Sequence, residues 1–177
     1  MANTFISAAG FSVGRSMFEA DLVPTAAALM NQARERHIQF YLPVDVVTAE
    51  AFDQNAATRT LPIQEIPEIH MALDIGPATS LVYSQALSDA QTIVWNGPMG
   101  VFEMEPFSQG TMTMAHSIAD ADALTIVGGG DTDAALHQAG VTDQVSYVST
   151  GGGAFLSLLE GKTLPAVAAL QAAANAA

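Results

Sequence analysis

The segment from Ala123 to Gly140 constrains the fold more than any other. Ala123-Leu-Thr-Ile-Val127 is apolar and favours a strand, and Ala134, Ala135, Leu136 and Ala139 then recur at helical spacing up to Gly140. Between them stand Gly128-Gly129-Gly130-Asp131-Thr132, so the chain turns tightly from a buried strand into a helix. Glycines carry no Cβ and let a backbone approach a ligand closely. The helix start adds unpaired N–H groups and the positive end of the helix dipole, which together attract an anion. A carboxylate at that start, Asp131, repels a phosphate unless a cation lies between them. Phosphate, divalent metal and Asp131 therefore form one consistent set. A plain turn with Asp131 as helix N-cap accounts for the same residues without a ligand, and these residues alone leave both readings open.

The pattern of alternating helix and strand recurs from about Pro77 onward, after a more varied first part. A short helix over Met1–Gly10 and a second from Pro24 to His37 come first, then strands at Ile38–Leu42 and Val44–Ala49. Asp53–Pro67 is polar and marked by prolines, which suits loops or short hairpin pieces. A strand at Met71–Ile75 leads into a helix starting at Pro77, and Thr92-Ile-Val-Trp95 leads into the loop Asn96–Glu103. A helix carrying Met112, Ala115, Ile118 and Ala119 precedes the segment described first. Gln144–Val148 is a further strand, Ser149-Thr-Gly-Gly-Gly153 a second glycine-rich turn, and helices follow at Ala154–Leu159 and from Pro165. Apolar strands separated by helices predict an α/β, Rossmann-like fold, its mostly parallel sheet covered by helices on both faces. Ligands of such sheets sit at the carboxyl ends of the strands. Three loops fall there: Asn96–Glu103, Gly128–Thr132 and Ser149–Gly153.

Composition narrows the function. The chain has 177 residues, half of them apolar, and a net charge of −13. That charge argues against nucleic acid as a partner. No apolar run is long enough to span a membrane, and no signal peptide is visible at the start. The absence of cysteine removes disulfides and thiolate chemistry and suits a cytoplasmic protein. Cations are scarce: Lys162 is the sole lysine, and Arg15, Arg34, Arg36 and Arg59 are the only arginines. A phosphoryl-transfer enzyme needs such groups, with Mg²⁺, to neutralise developing charge. If this chain belongs to one, part of its cationic machinery is expected elsewhere.

Trp95-Asn-Gly-Pro-Met-Gly-Val-Phe-Glu103, Phe107 with Gly110-Thr111, Gly128–Thr132, and Ser149-Thr-Gly-Gly-Gly-Ala154 with Leu159–Lys162 and Leu164-Pro165 resemble the phosphoglycerate kinases. Met1–Phe5, Leu42-Pro-Val-Asp45 and Asp74-Ile-Gly-Pro77 agree. The resemblance covers nearly the whole chain and implies transfer of a phosphoryl group between 1,3-bisphosphoglycerate and ADP in glycolysis. It implies a two-domain parent, of which residues 1–177 match the later part of the carboxyl-terminal, nucleotide-binding domain. The substrate domain and the phosphate-contacting lysines are then expected outside this chain, which begins within a domain and alone is expected to be inactive. Carried over by position, the resemblance implies that Asp131 would hold the nucleotide's Mg²⁺, and that Gly129, Gly130 and Thr132 would lie against the phosphates of ADP or ATP. It likewise implies that Glu103 would bond the ribose, Asn96 touch the phosphate chain, Val101 wall the adenine, and Gly152 and Gly153 offer N–H groups to the transferring phosphoryl group.

Plainer roles stand beside these. Trp95 reads as core packing rather than a base-stacking platform, and Glu103 out of context is a solvated loop carboxylate. His37, His70, His116 and His137 have no metal-ligand spacing. Glu160-Gly-Lys-Thr163 is not a P-loop, because Leu156 replaces its first glycine. Asp133 likewise breaks a dinucleotide fingerprint. A non-catalytic nucleotide- or anion-binding module is the alternative function.

Overall fold

The computed structural model describes residues 1–149 and 151–175; Thr150, inside the second glycine-rich turn, and residues 176–177 lie outside the described residues. In chain order the elements are α1 (Ala2–Ala8), α2 (Val23–Glu35), β1 (Asp45–Ala49), β2 (Arg59–Pro62), β3 (Met71–Ile75), α3 (Pro77–Leu87) and β4 (Thr92–Asn96). There follow α4 (Gln109–Ala119), β5 (Leu124–Gly128), α5 (Gly130–Ala139), β6 (Tyr147–Ser149), α6 (Gly152–Leu159) and α7 (Pro165–Asn175).

The second half builds as the sequence predicts. Strands β4, β5 and β6 form a parallel sheet in that spatial order, each preceded by a helix. The register sets Asn96 opposite Gly128 and Gly128 opposite Ser149. All three strands therefore finish at one level, and the loops leaving them lie side by side. Side chains alternate across a strand. Ile93, Trp95 and Val127 point to one face, where they form the main core with Met114, Ala115 and Ile118 of α4 and Ala135 and Leu136 of α5. Gly128 points to the other face, where Phe155 of α6 lies so close that a Cβ on Gly128 would meet its ring at 2.5 Å. Helices thus cover both faces at the loop end. Trp95 is core, as expected, although its indole N–H is buried without a hydrogen-bond partner.

The first half departs from a parallel sheet. Strands β2, β1 and β3 form a separate antiparallel sheet in that order, with Val46 opposite both Leu61 and Ile75. The link from β1 to β2 is too short for the crossover a parallel pair needs, so the expected hairpin pieces at 53–67 close antiparallel onto β1. The strand expected at Ile38–Leu42 does not form. No strand among the described residues lies beside it to complete a ladder, and Ile38, Phe40 and Tyr41 are exposed. Phe40 instead stacks on Phe5, with ring centroids 5.0 Å apart.

Helix α3 links the halves. Its Gly76 N-cap offers no side chain, so Asp45 of β1 replaces one, accepting N–H bonds from Ala78 at 3.1 Å and Thr79 at 2.7 Å. Among the described residues, no helix is long and apolar enough to cross a membrane.

Candidate functional site

The carboxyl ends of β4, β5 and β6 converge on Gly128–Gly130. The Asn96 side-chain amide donates to the Gly128 carbonyl at 3.0 Å, and the Gly97 N–H donates to the Thr132 hydroxyl at 2.8 Å. A Cβ on Gly152 would stand 3.2 Å from the Gly129 Cα, so the second glycine turn rests directly on the first. Gly129 takes φ 99°, a conformation that a side chain would strain, and it opens α5. The three predicted loops form one cluster.

Neither helix that starts in this cluster has a side-chain cap. The first turn of α5 becomes bonded only when Asp133 N–H reaches the Gly129 carbonyl, and that of α6 when Phe155 N–H reaches Gly151. The amides of Gly130, Asp131 and Thr132, and of Gly152 and Gly153, are left without helical acceptors. Gly130, Asp131 and Gly153 are exposed. Asp131 is not the N-cap, a position that belongs to Gly129, and its carboxylate makes no capping bond. The role of N-cap for Asp131 therefore fails, whereas the glycines form the turn that both readings require. The Thr132 side chain is also not open to a ligand. It is 1% exposed and its oxygen is occupied by Gly97. What Thr132 can present outward is its backbone N–H.

Beside this cluster runs a groove of about 410 Å³, walled by the loop from Asn96 to Val101 and floored by Ala72, Leu73 and Asp74 of β3. Val101 lines it, its N–H bonded to the Leu73 carbonyl at 2.9 Å. Glu103 lies just beyond, exposed. The sequence reading missed Ala72 and Leu73. They belong to the stretch before Asp74-Ile-Gly-Pro77, but an alanine and a leucine in a strand carry no chemical signal.

Among the described residues, Asp74 is the one carboxylic acid moved well above its ordinary range. It is 4% exposed, and its two oxygens accept N–H bonds from Gly110 at 2.7 Å and Ile75 at 2.8 Å. Burial dominates these bonds and pushes its carboxyl up to about 7. The folded chain therefore holds a proton that the unfolded chain releases near pH 4, and stability falls as pH rises from about 4 to about 7. The upper bound on this contribution is about 4 kcal/mol. Urea titrations of wild type and Asp74→Asn at pH 5 and pH 7.5 are expected to show a smaller decline in the variant. An identical decline in both would exclude Asp74 as the source.

Three or more metal-binding side chains are not gathered anywhere among the described residues. One exposed carboxylate beside free amides does suit Mg²⁺, which commonly takes one or two protein carboxylates and completes its shell with phosphate oxygens and water. Asp131 is the residue that would hold it.

Comparisons with known proteins identify the family and the fold. The family model described as phosphoglycerate kinase matches residues 1–162. The chain is 58% identical over 171 residues to a phosphoglycerate kinase of Geotalea uraniireducens, covering 97% of this chain and 43% of that protein. With one of Desulfosudis oleivorans it is 55% identical, at the same coverage. Among solved structures, phosphoglycerate kinase from Coxiella burnetii superposes with a TM-score of 0.91 at 47% identity, over 94% of this chain and 43% of that one. The enzyme from Pyrococcus horikoshii gives 0.79 at 34% identity, over 96% of this chain and 43% of that one. The chain thus spans under half the length of the relatives it matches. With the family model covering most of its residues and its fold reproduced in solved members, this chain belongs to the phosphoglycerate kinase family.

Proposed function

We propose that this chain binds an adenine nucleotide with Mg²⁺ and represents the later part of the nucleotide-binding domain of a phosphoglycerate kinase. The observation that carries this reading is the convergence of Asn96–Gly97, Gly128–Thr132 and Gly152 at one level of the parallel sheet. In it, the phosphates of ADP or ATP lie on the amides at the starts of α5 and α6. Asn96 adjoins the phosphate chain, the nucleoside occupies the groove at Val101, Ala72 and Leu73, and Glu103 accepts from the ribose. Mg²⁺, when bound, neutralises phosphate charge, and Asp131 holds it beside the Gly129–Gly130 turn. Gly152 and Gly153 present N–H groups where charge would develop on a transferring phosphoryl group. The parent reaction is transfer between 1,3-bisphosphoglycerate and ADP, a cytoplasmic step of glycolysis.

One observation favours a non-catalytic module for this chain taken alone. Among the described residues no Lys or Arg lines the groove, and Lys162 pairs with Glu160. The cations that phosphoryl transfer requires would come from outside these residues. Thermal melts of the purified chain with and without MgADP test the reading, since a ligand of the folded form raises the midpoint. At a hundredfold excess over Kd the gain is about 2.7 kcal/mol, or roughly 5–10 °C for a chain of this size. An unshifted midpoint at millimolar MgADP would reject the site. In a coupled kinase assay the same preparation is expected to give no turnover, and measurable turnover would reject the module reading.

A further inference from the structure

The wall of the groove is held in an unusual way. The loop from Gly97 to Val101 has four backbone donors, because Pro98 has none, and all four bond to groups outside the loop. Gly97 N–H reaches Thr132 Oγ1 at 2.8 Å, and Val101 N–H reaches the Leu73 carbonyl at 2.9 Å. The N–H groups of Met99 and Gly100 both reach Thr111 Oγ1, at 3.0 and 3.2 Å. A hydroxyl oxygen has two lone pairs, and here both are used. Thr111 is fully buried on the first turn of α4. That turn is fixed in its own right, because the preceding residue, Gly110, donates to Asp74 Oδ2 at 2.7 Å. Gly110 also packs on Asp74 and Ile75 with no room for a Cβ. Bonds thus run from β3 through Asp74 and Gly110 to Thr111, and from there to Met99 and Gly100.

We propose that Thr111 is a positioning residue for the nucleoside side of the site, its hydroxyl oxygen setting where Met99–Val101 stand relative to Leu73. The proposal rests on the nucleotide reading above. It assigns Thr111 no contact with ligand. It separates the groove wall, which Thr111 controls, from the phosphate-binding turns at Gly128–Thr132 and Gly152, which it does not touch.

Thr111→Val keeps the shape and removes the one oxygen that accepts both bonds, whereas Thr111→Ser keeps it. Two readouts decide: amide hydrogen exchange without ligand, and affinity for MgADP against magnesium tripolyphosphate, which has phosphates and no nucleoside. In Thr111→Val, exchange at Met99 and Gly100 is expected to quicken at least tenfold, with Gly128–Thr132 unchanged. MgADP affinity is expected to fall at least tenfold while tripolyphosphate affinity holds, and Thr111→Ser to restore both readouts. Unchanged MgADP binding in Thr111→Val, or equal losses for both ligands, would overturn the proposal. If wild type binds neither ligand, the nucleotide reading fails and exchange alone judges the clamp. Should Thr111→Val not fold, wild-type exchange decides, because Met99 and Gly100 amides exchanging as fast as exposed loop amides would equally overturn it.

Discussion

Gly100→Ala is expected to lower stability by about 3 kcal/mol, and with it the melting midpoint by roughly 6–12 °C. The added Cβ would stand 2.6 Å from the Leu73 carbonyl oxygen and 2.6 Å from the Asp74 carboxyl carbon. Neither can step aside. Leu73 O is bonded to Val101 N–H, and both Asp74 oxygens accept from the backbone. The strain must therefore move the loop, and MgADP binding is expected to fall with stability. Gly130→Ala is the contrast. No atom lies within 4 Å of its would-be Cβ. Alanine is also the better helix former, so its stability should stay within about 0.5 kcal/mol of wild type. If phosphates lie against Gly130, the substitution weakens nucleotide binding alone. A Gly100→Ala chain that melts with wild type would contradict the close packing beneath the loop.

The second large effect concerns charge. Asp131→Asn is expected to weaken MgADP binding at least roughly tenfold, the scale of one lost interaction with a charged group. ADP with excess chelator should bind the variant as well as wild type or better, because removing the carboxylate removes its repulsion of the phosphates. Calorimetric titrations with and without Mg²⁺ measure both. Equal losses in the two conditions would rule out the metal role and return Asp131 to a general contribution through the helix dipole. The exposed, uncapped position of Asp131 makes this test clean, since little of the fold depends on its side chain.

Legibility from sequence followed how local each determinant is. The strand–glycine–helix units of the second half were readable because their apolar periodicity and glycine turns lie within about twenty residues. Parallel order then aligns the strand ends with no further information. Ile38–Leu42 departs from its expected strand for the complementary reason. Its composition favours a strand, but a strand exists only against a neighbour, and none adjoins it among the described residues. The resemblance places Thr132 against the phosphates without saying which of its groups faces them. Helical geometry turns its side chain inward, where its hydroxyl oxygen accepts from Gly97 N–H.

By itself the sequence determined the family, the α/β class, the three loops at the strand ends and the presence of Asp131 in one of them. Each of these rests on residue identity or short-range period. Only the tertiary structure decided that Asp74 is buried enough to hold a proton near neutrality, that β1–β3 pair antiparallel, and that Ala72 and Leu73 floor the groove. The same is true of Thr111, whose hydroxyl takes two amides from a loop some ten residues away. These depend on which backbone groups meet across the chain, and a hydroxyl or carboxylate in a sequence does not say which donor it will face.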